Sequence, residues 1–125
     1  MSNFKLGPLQ EEWVQSLEQH PERQMIQRLG RKNSDGSYRA CCLGQAGLIA
    51  VVCEWNEDGD LVVKGGGGYA LLERNSYKAM GLRSPSGFSK GTLSPLAVIN
   101  DSGATWPEIA ALIRANPEEY FTHSV

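Results

Sequence analysis

Few residues in this chain have side chains suited to covalent or metal chemistry. Cys41, Cys42 and Cys53, with His20 and His123, are the candidate nucleophiles and metal ligands. None of them makes the Cys-x-x-Cys or His-x-x-x-His spacing that sets two ligands on one metal ion, and the apolar neighbourhood of the cysteines suits thiols packed as small hydrophobic side chains. A nucleophilic thiol would also need a base beside it to lower its pKa, and both histidines stand near chain-terminal elements. No metal, cofactor or catalytic residue is therefore assigned.

Three further groups could bind rather than react. The run Gly65-Gly66-Gly67-Gly68 could turn its N–H groups to a phosphate. It lacks the Gly-Lys-Ser/Thr ending of a phosphate loop and the dinucleotide fingerprint, so a flexible connection is the favoured reading. Asp101, in Asn100-Asp101-Ser102-Gly103, could act as a base or hold an ion, but Asn, Asp and Ser in turns ordinarily hydrogen-bond their own backbone. The third group is basic. Arg23, Arg28, Arg31, Lys32 and Arg39 face a single acid, Asp35, between residues 23 and 39, and Tyr38 adds a stacking group. Arg83 and Lys90 extend this candidate partner-binding set into the Ser/Gly-rich loop 83–92. Glu54, Glu57, Asp58 and Asp60 are the acids available to neutralise it within the fold.

The elements that must position these residues are read from periodicity and turn signals. Leu9, Trp13, Val14 and Leu17 recur at helical spacing behind Pro8, which predicts an amphipathic helix over 9–19 ended by Pro21. Asn33-Ser34-Asp35-Gly36 and Asn56-Glu57-Asp58-Gly59 are turns, and Met25, Ile26 and Leu29 suit a short strand or one helical turn. Residues 40–55 are the most apolar segment, open to helix or strand; a hairpin pairing 48–55 with 60–64 is one solution. A second helix is expected over 69–80, with Gly81 at its C-terminal cap. Loop 83–92 is long enough to be mobile or to bind. Thr105 and Glu108 form a capping box with Pro107 in the first turn, Ile109, Leu112 and Ile113 form the buried stripe, and Asn116-Pro117 ends the helix. No internal repeat is evident.

These signals describe a small single-domain α+β fold over residues 1–125, with three or four helices and a short antiparallel hairpin or small sheet. The composition, 41% hydrophobic and 21% charged in 125 residues, supplies one core. Twelve basic and fourteen acidic side chains leave a net charge of -2, which excludes a globally driven attachment to nucleic acid or anionic membrane. The N-terminus predicts no signal peptide, the apolar run 47–53 is too short to span a bilayer, and an odd number of cysteines suits a reducing compartment. A cytoplasmic protein is expected.

Glu12-Trp13-Val14-Gln15-Ser16-Leu17, Tyr38-Arg39-Ala40-Cys41-Cys42-Leu43-Gly44, Gly81-Leu82 and Leu96-Ala97-Val98-Ile99-Asn100-Asp101-Ser102-Gly103 occur in that order. With them the chain resembles a family of small phage and prophage proteins without an assigned activity. The likeness runs nearly end to end, departs at Ile99 and at Gln45-Ala46-Gly47, and is weakest over 55–92. It implies a helix at 41–54 and a bacterial host cell as the setting, and it carries over no catalytic residue. Phage origin implies a non-enzymatic interaction module with a host or phage protein as partner, including inhibition of a host protein or an anti-phage defence complex. Two alternatives stand beside it: a small-ligand-binding protein or small enzyme with a pocket near the glycine run and the Asn100-Asp101 turn, and a nucleic-acid-binding accessory protein.

Overall fold

The computed structural model describes residues 4–65, 72 and 75–125. The first helix, α1 (Pro8–Gln19), begins on Pro8, whose missing N–H costs nothing there, and Gln10 Oε1 accepts from the Gly7 N–H at 2.9 Å. Trp13, Val14 and Leu17 form its fully buried stripe. Two antiparallel ribbons follow: β1 (Gly30–Lys32) pairs with β2 (Tyr38–Ala40), and β3 (Cys53–Trp55) with β4 (Leu61–Val63). Between them lies α2 (Cys42–Ile49), which the apolar sequence left undecided. Apart from Gln45 it is apolar because it is buried on nearly all sides. Gly44 is the reason it can sit there: a Cβ at that position would lie 1.9 Å from the Leu29 carbonyl oxygen.

The helix at 42–49 shortens the expected hairpin to residues 53–55 and 61–63, because 48 and 49 belong to α2. Its end is a Schellman closure. The Val51 N–H donates to Leu48 at 3.2 Å and the Val52 N–H to Gly47 at 3.0 Å. The residue that must turn left-handed is Val51, at φ +59, rather than a glycine.

Both ribbons close on the same turn. Asn33 N–H donates to the Ser37 carbonyl at 2.8 Å and Asn56 N–H to the Asp60 carbonyl at 2.9 Å, with Gly36 and Gly59 at φ +92 and +83. This five-residue likeness is a repeat at the scale of a turn. The ribbons meet edge to edge, with Arg31 bridged to Asp60 and the Lys32 N–H donating to the Gly59 carbonyl at 2.7 Å. Met25 and Ile26 do not enter a strand or helix of their own; the chain there runs irregularly beside β2, with the Met25 N–H on the Ala40 carbonyl.

The expected helix over 69–80 is, within the described residues, a 3-10 turn at Ser76–Met80 held between Asn75 and Gly81, both left-handed. Residues 69–71, 73 and 74 of that expectation lie outside the described residues. The C-terminal part is helical: α3 (Leu96–Asp101), α4 (Trp106–Ala115) and the single turn α5 (Pro117–Tyr120). Thr105 Oγ1 accepts from the Glu108 N–H and Glu108 Oε1 from the Thr105 N–H, so the capping box forms as predicted. Helix α4 lies on α1, buries Trp106, Ile109, Ala110 and Ile113, and is clamped at its rim by Arg114, which reaches Glu11 at 2.6 Å and Glu18 at 2.7 Å. Trp13, Trp106, Tyr120 and Phe121 are the largest fully buried side chains, and Tyr120-Phe121 closes the core as expected. The architecture is small single-domain α+β. No helix among the described residues is long and apolar enough to cross a membrane.

Candidate functional site

The β1–β2 ribbon concentrates the basic residues, and pleat geometry sorts them. Gly30, Ala40 and the half-buried Tyr38 turn inward, so Arg31 and Arg39 point to the other, solvent face. The register sets Arg31 directly opposite Arg39. Arg31 Nη1 lies 2.8 Å from Asp60 Oδ1, and Arg28 Nη1 lies 3.2 Å from the same oxygen. Lys32 and Arg39 are exposed, and among the described residues no hydrogen bond or ion pair reaches either side chain. The lone acid of the stretch, Asp35, is spent on the turn: its Oδ1 accepts from the Ser37 hydroxyl at 2.6 Å and N–H at 2.9 Å, which lowers its pKa.

Arg23 stands 5.0 Å over the Tyr38 ring, and the Tyr38 hydroxyl donates to Gln45 Oε1 at 2.9 Å. The same ring packs on Trp55 at 5.4 Å between centroids. Tyr38 is thus a strut between ribbons. Three hollows surround the ribbon. One of 310 Å³ is lined by Met25, Arg31, Asn33 and Arg39. A second, of 530 Å³, has Glu22, Arg23, Tyr38 and Arg39 among its walls. In the third, of 450 Å³, Arg31 and Lys32 face Glu57 and Asp58 of the neighbouring turn.

Arg83 and Lys90 are placed differently. The Arg83 guanidinium donates to the carbonyls of Glu118 at 2.8 Å, Glu119 at 3.1 Å and Phe121 at 3.2 Å, serving as a cap for α5. The Lys90 N–H donates to the Glu119 carbonyl at 2.6 Å, and the Gly91 N–H to Glu119 Oε1 at 2.9 Å. Loop 83–92 is therefore tied down against α5, and these contacts do not run to the ribbon.

The Asn100-Asp101 turn does something other than bond its own backbone. Asn100 is fully buried; its Oδ1 accepts from Cys42 N–H and Gln24 Nε2, both at 3.2 Å, and its Nδ2 donates to the Met25 carbonyl at 2.8 Å. Gln24 continues the knot, donating to the Ala104 carbonyl at 2.6 Å and accepting from the Trp106 N–H at 3.0 Å. Asp101 Oδ1 accepts from the N–H of Gln27, which sits at φ +68, at 2.9 Å. A local reading fails because the turn's side chains reach 74 to 76 residues back along the chain. Consumed in this way, the Asn100 amide is not offered to a ligand.

The cysteines are free thiols buried in the core. Cys41 Sγ caps α2 by accepting from the Gly44 N–H at 3.3 Å. Burial pushes Cys41 up to about 11 and Cys53 to about 12, the reverse of what a nucleophile needs. Among the described residues no group of three or more His, Cys, Asp and Glu is placed to hold a metal ion. Of the glycine run, Gly66-Gly67-Gly68 lies outside the described residues. Compared with family models, curated proteins and solved structures, the chain finds no match in any of the three.

Proposed function

We propose that this chain is a phage or prophage accessory protein that works by binding a host or phage protein, with the β1–β2 ribbon as its contact face. One observation carries the reading: Lys32 and Arg39 are exposed and, among the described residues, uncompensated on a ribbon whose backbone is fixed at both ends. The Asn33–Gly36 turn holds the tip, and the Gln24–Asn100 knot holds the base. Cations on a rigid support lose little freedom on binding and steer an oppositely charged partner. The family likeness supplies the setting, in which such binding takes the form of inhibiting a host protein or a defence complex.

The test is affinity capture from host-cell lysate with the tagged protein, comparing wild type with Lys32→Glu/Arg39→Glu. Arg28 and Arg31 are left intact, because reversing them would set a carboxylate against Asp60. The expected outcome is a stoichiometric protein partner with wild type and its loss with the double variant. Equal capture by a correctly folded double variant would refute the contact face.

A further inference from the structure

We infer that the opposed Arg31 and Arg39 form a carboxylate receptor for an acidic segment of a protein partner, an inference that rests on the ribbon being the contact face. Like charges directly across a two-stranded ribbon oppose its formation unless a counter-charge sits between or beside them. Asp60 supplies a single oxygen to both Arg28 and Arg31 and leaves Arg39 uncompensated among the described residues. A guanidinium fork donates two parallel hydrogen bonds to a carboxylate, so an incoming acidic side chain relieves the repulsion and gains a directional contact together.

The hollows define what can enter. Asn33 and Arg39 line both the 310 Å³ and the 530 Å³ hollow, so Arg39 is the wall between them, with Arg31 on one side and Arg23 on the other. An acidic side chain entering the 310 Å³ hollow meets Arg31 and Arg39 with no acid in its lining, whereas Glu22 stands with Arg23 and Arg39 in the larger one. Met25 gives the smaller hollow an apolar surface suited to the methylenes of a glutamate.

A nucleic acid fits less well. Arg23 already stands over the Tyr38 ring where a base would stack, and Glu57 and Asp58 wall the adjoining hollow, where a continuous phosphate backbone would meet repulsion. A short acidic run can end before it reaches them.

Nitrogen-15 NMR titration with an octaglutamate peptide tests the inference, with an octathymidylate as the competing arm. The expected result is a set of shifts centred on Arg31, Asn33 and Arg39, binding weakened about tenfold by Arg39→Gln, the loss of one charge-assisted contact, and partial recovery in Arg39→Lys, which restores charge without the fork. Shifts centred elsewhere, unchanged affinity in Arg39→Gln, or tighter binding of the oligonucleotide would each overturn it. Partner capture that depends on Lys32 but not on Arg39 would overturn the receptor and leave the contact face standing. Capture insensitive to both would overturn the contact face itself.

Discussion

Replacing Asn100 by alanine tests whether the knot at the α3–α4 corner holds the fold together. Asn100 is fully buried, and its amide satisfies the Cys42 N–H at 3.2 Å and the Met25 carbonyl at 2.8 Å, while Gln24 Nε2 keeps a second acceptor in the Ala104 carbonyl. Alanine leaves the buried Cys42 N–H and the partly buried Met25 carbonyl without partners, the first costing roughly 1–3 kcal/mol and the second less, so the variant should lose about 2–4 kcal/mol. That is a large share of the roughly 5–15 kcal/mol typical of a domain. Urea unfolding followed by far-ultraviolet circular dichroism measures it, as a fall in midpoint with the slope m unchanged. Asn100→Asp separates the contacts. It keeps an acceptor for Cys42 but turns a carboxylate oxygen toward the Met25 carbonyl, so it too should destabilise, although it changes a single atom. A loss below about 1 kcal/mol in the alanine variant, the net worth of one ordinary hydrogen bond, would refute the argument, since a turn that only bonded itself would lose no more than that.

The left-handed Val51 gives a prediction of opposite sign. Its side chain is 65% exposed, so Val51→Gly removes little packing and relieves a conformation costing roughly 1–2 kcal/mol, partly offset by the freer unfolded chain. The net gain should be about 0.5–1 kcal/mol, read as a rise of about 2–4 °C in Tm, with Val51→Ala showing none. Arg114→Gln should cost about 0.5–1 kcal/mol, a modest figure because all three partners of the clamp are partly solvated. Its hydrogen bonds hold Glu11 and Glu18 below the usual carboxylate range. The clamp's contribution is therefore complete above the unfolded carboxylate pKa and lost as pH falls through the lower folded values, and an acid titration of the variant should have a shallower limb. Finally, Cys41, Cys42 and Cys53 should resist a thiol reagent in the native protein and react together only when urea unfolds it. Rapid labelling of any one at neutral pH would contradict their burial.

Legibility followed the range of the interaction. The α4 capping box, the Pro8 start of α1 and both Asn-x-Asp-Gly turns are set by residues within five positions of each other, and their sequence signals are correspondingly clear. The state of 42–49 was not legible from periodicity, since a segment buried on nearly all sides has no polar face to mark its period. The roles of Asn100 and Gln24 were hidden for another reason: their partners lie 58 to 82 residues away. At the ribbon, the sequence shows the cations but not their pairing. Asp60 reaches Arg28 and Arg31 only because one turn packs on the next, and Arg83, alike in sequence, is taken up by carbonyls at the end of α5.

The same knot has a consequence for biosynthesis. The base of the ribbon is fastened by Asn100, Ala104 and Trp106, and α1 packs on α4 as well as on α2, so the N-terminal quarter lacks part of its packing surface until those later residues are made. Gln24 and Trp106 are 82 residues apart, which at roughly 5–20 residues per second is about 4–16 seconds of translation. During that interval α1 has α2 to pack on, with Trp13 Nε1 donating to the Cys42 carbonyl at 2.8 Å, but the apolar surface that α4 covers is open on the nascent chain. The knot and the α1–α4 seam therefore close only once Trp106 and α4 have been made, and until then the apolar surface they cover depends on whatever shields it on the nascent chain.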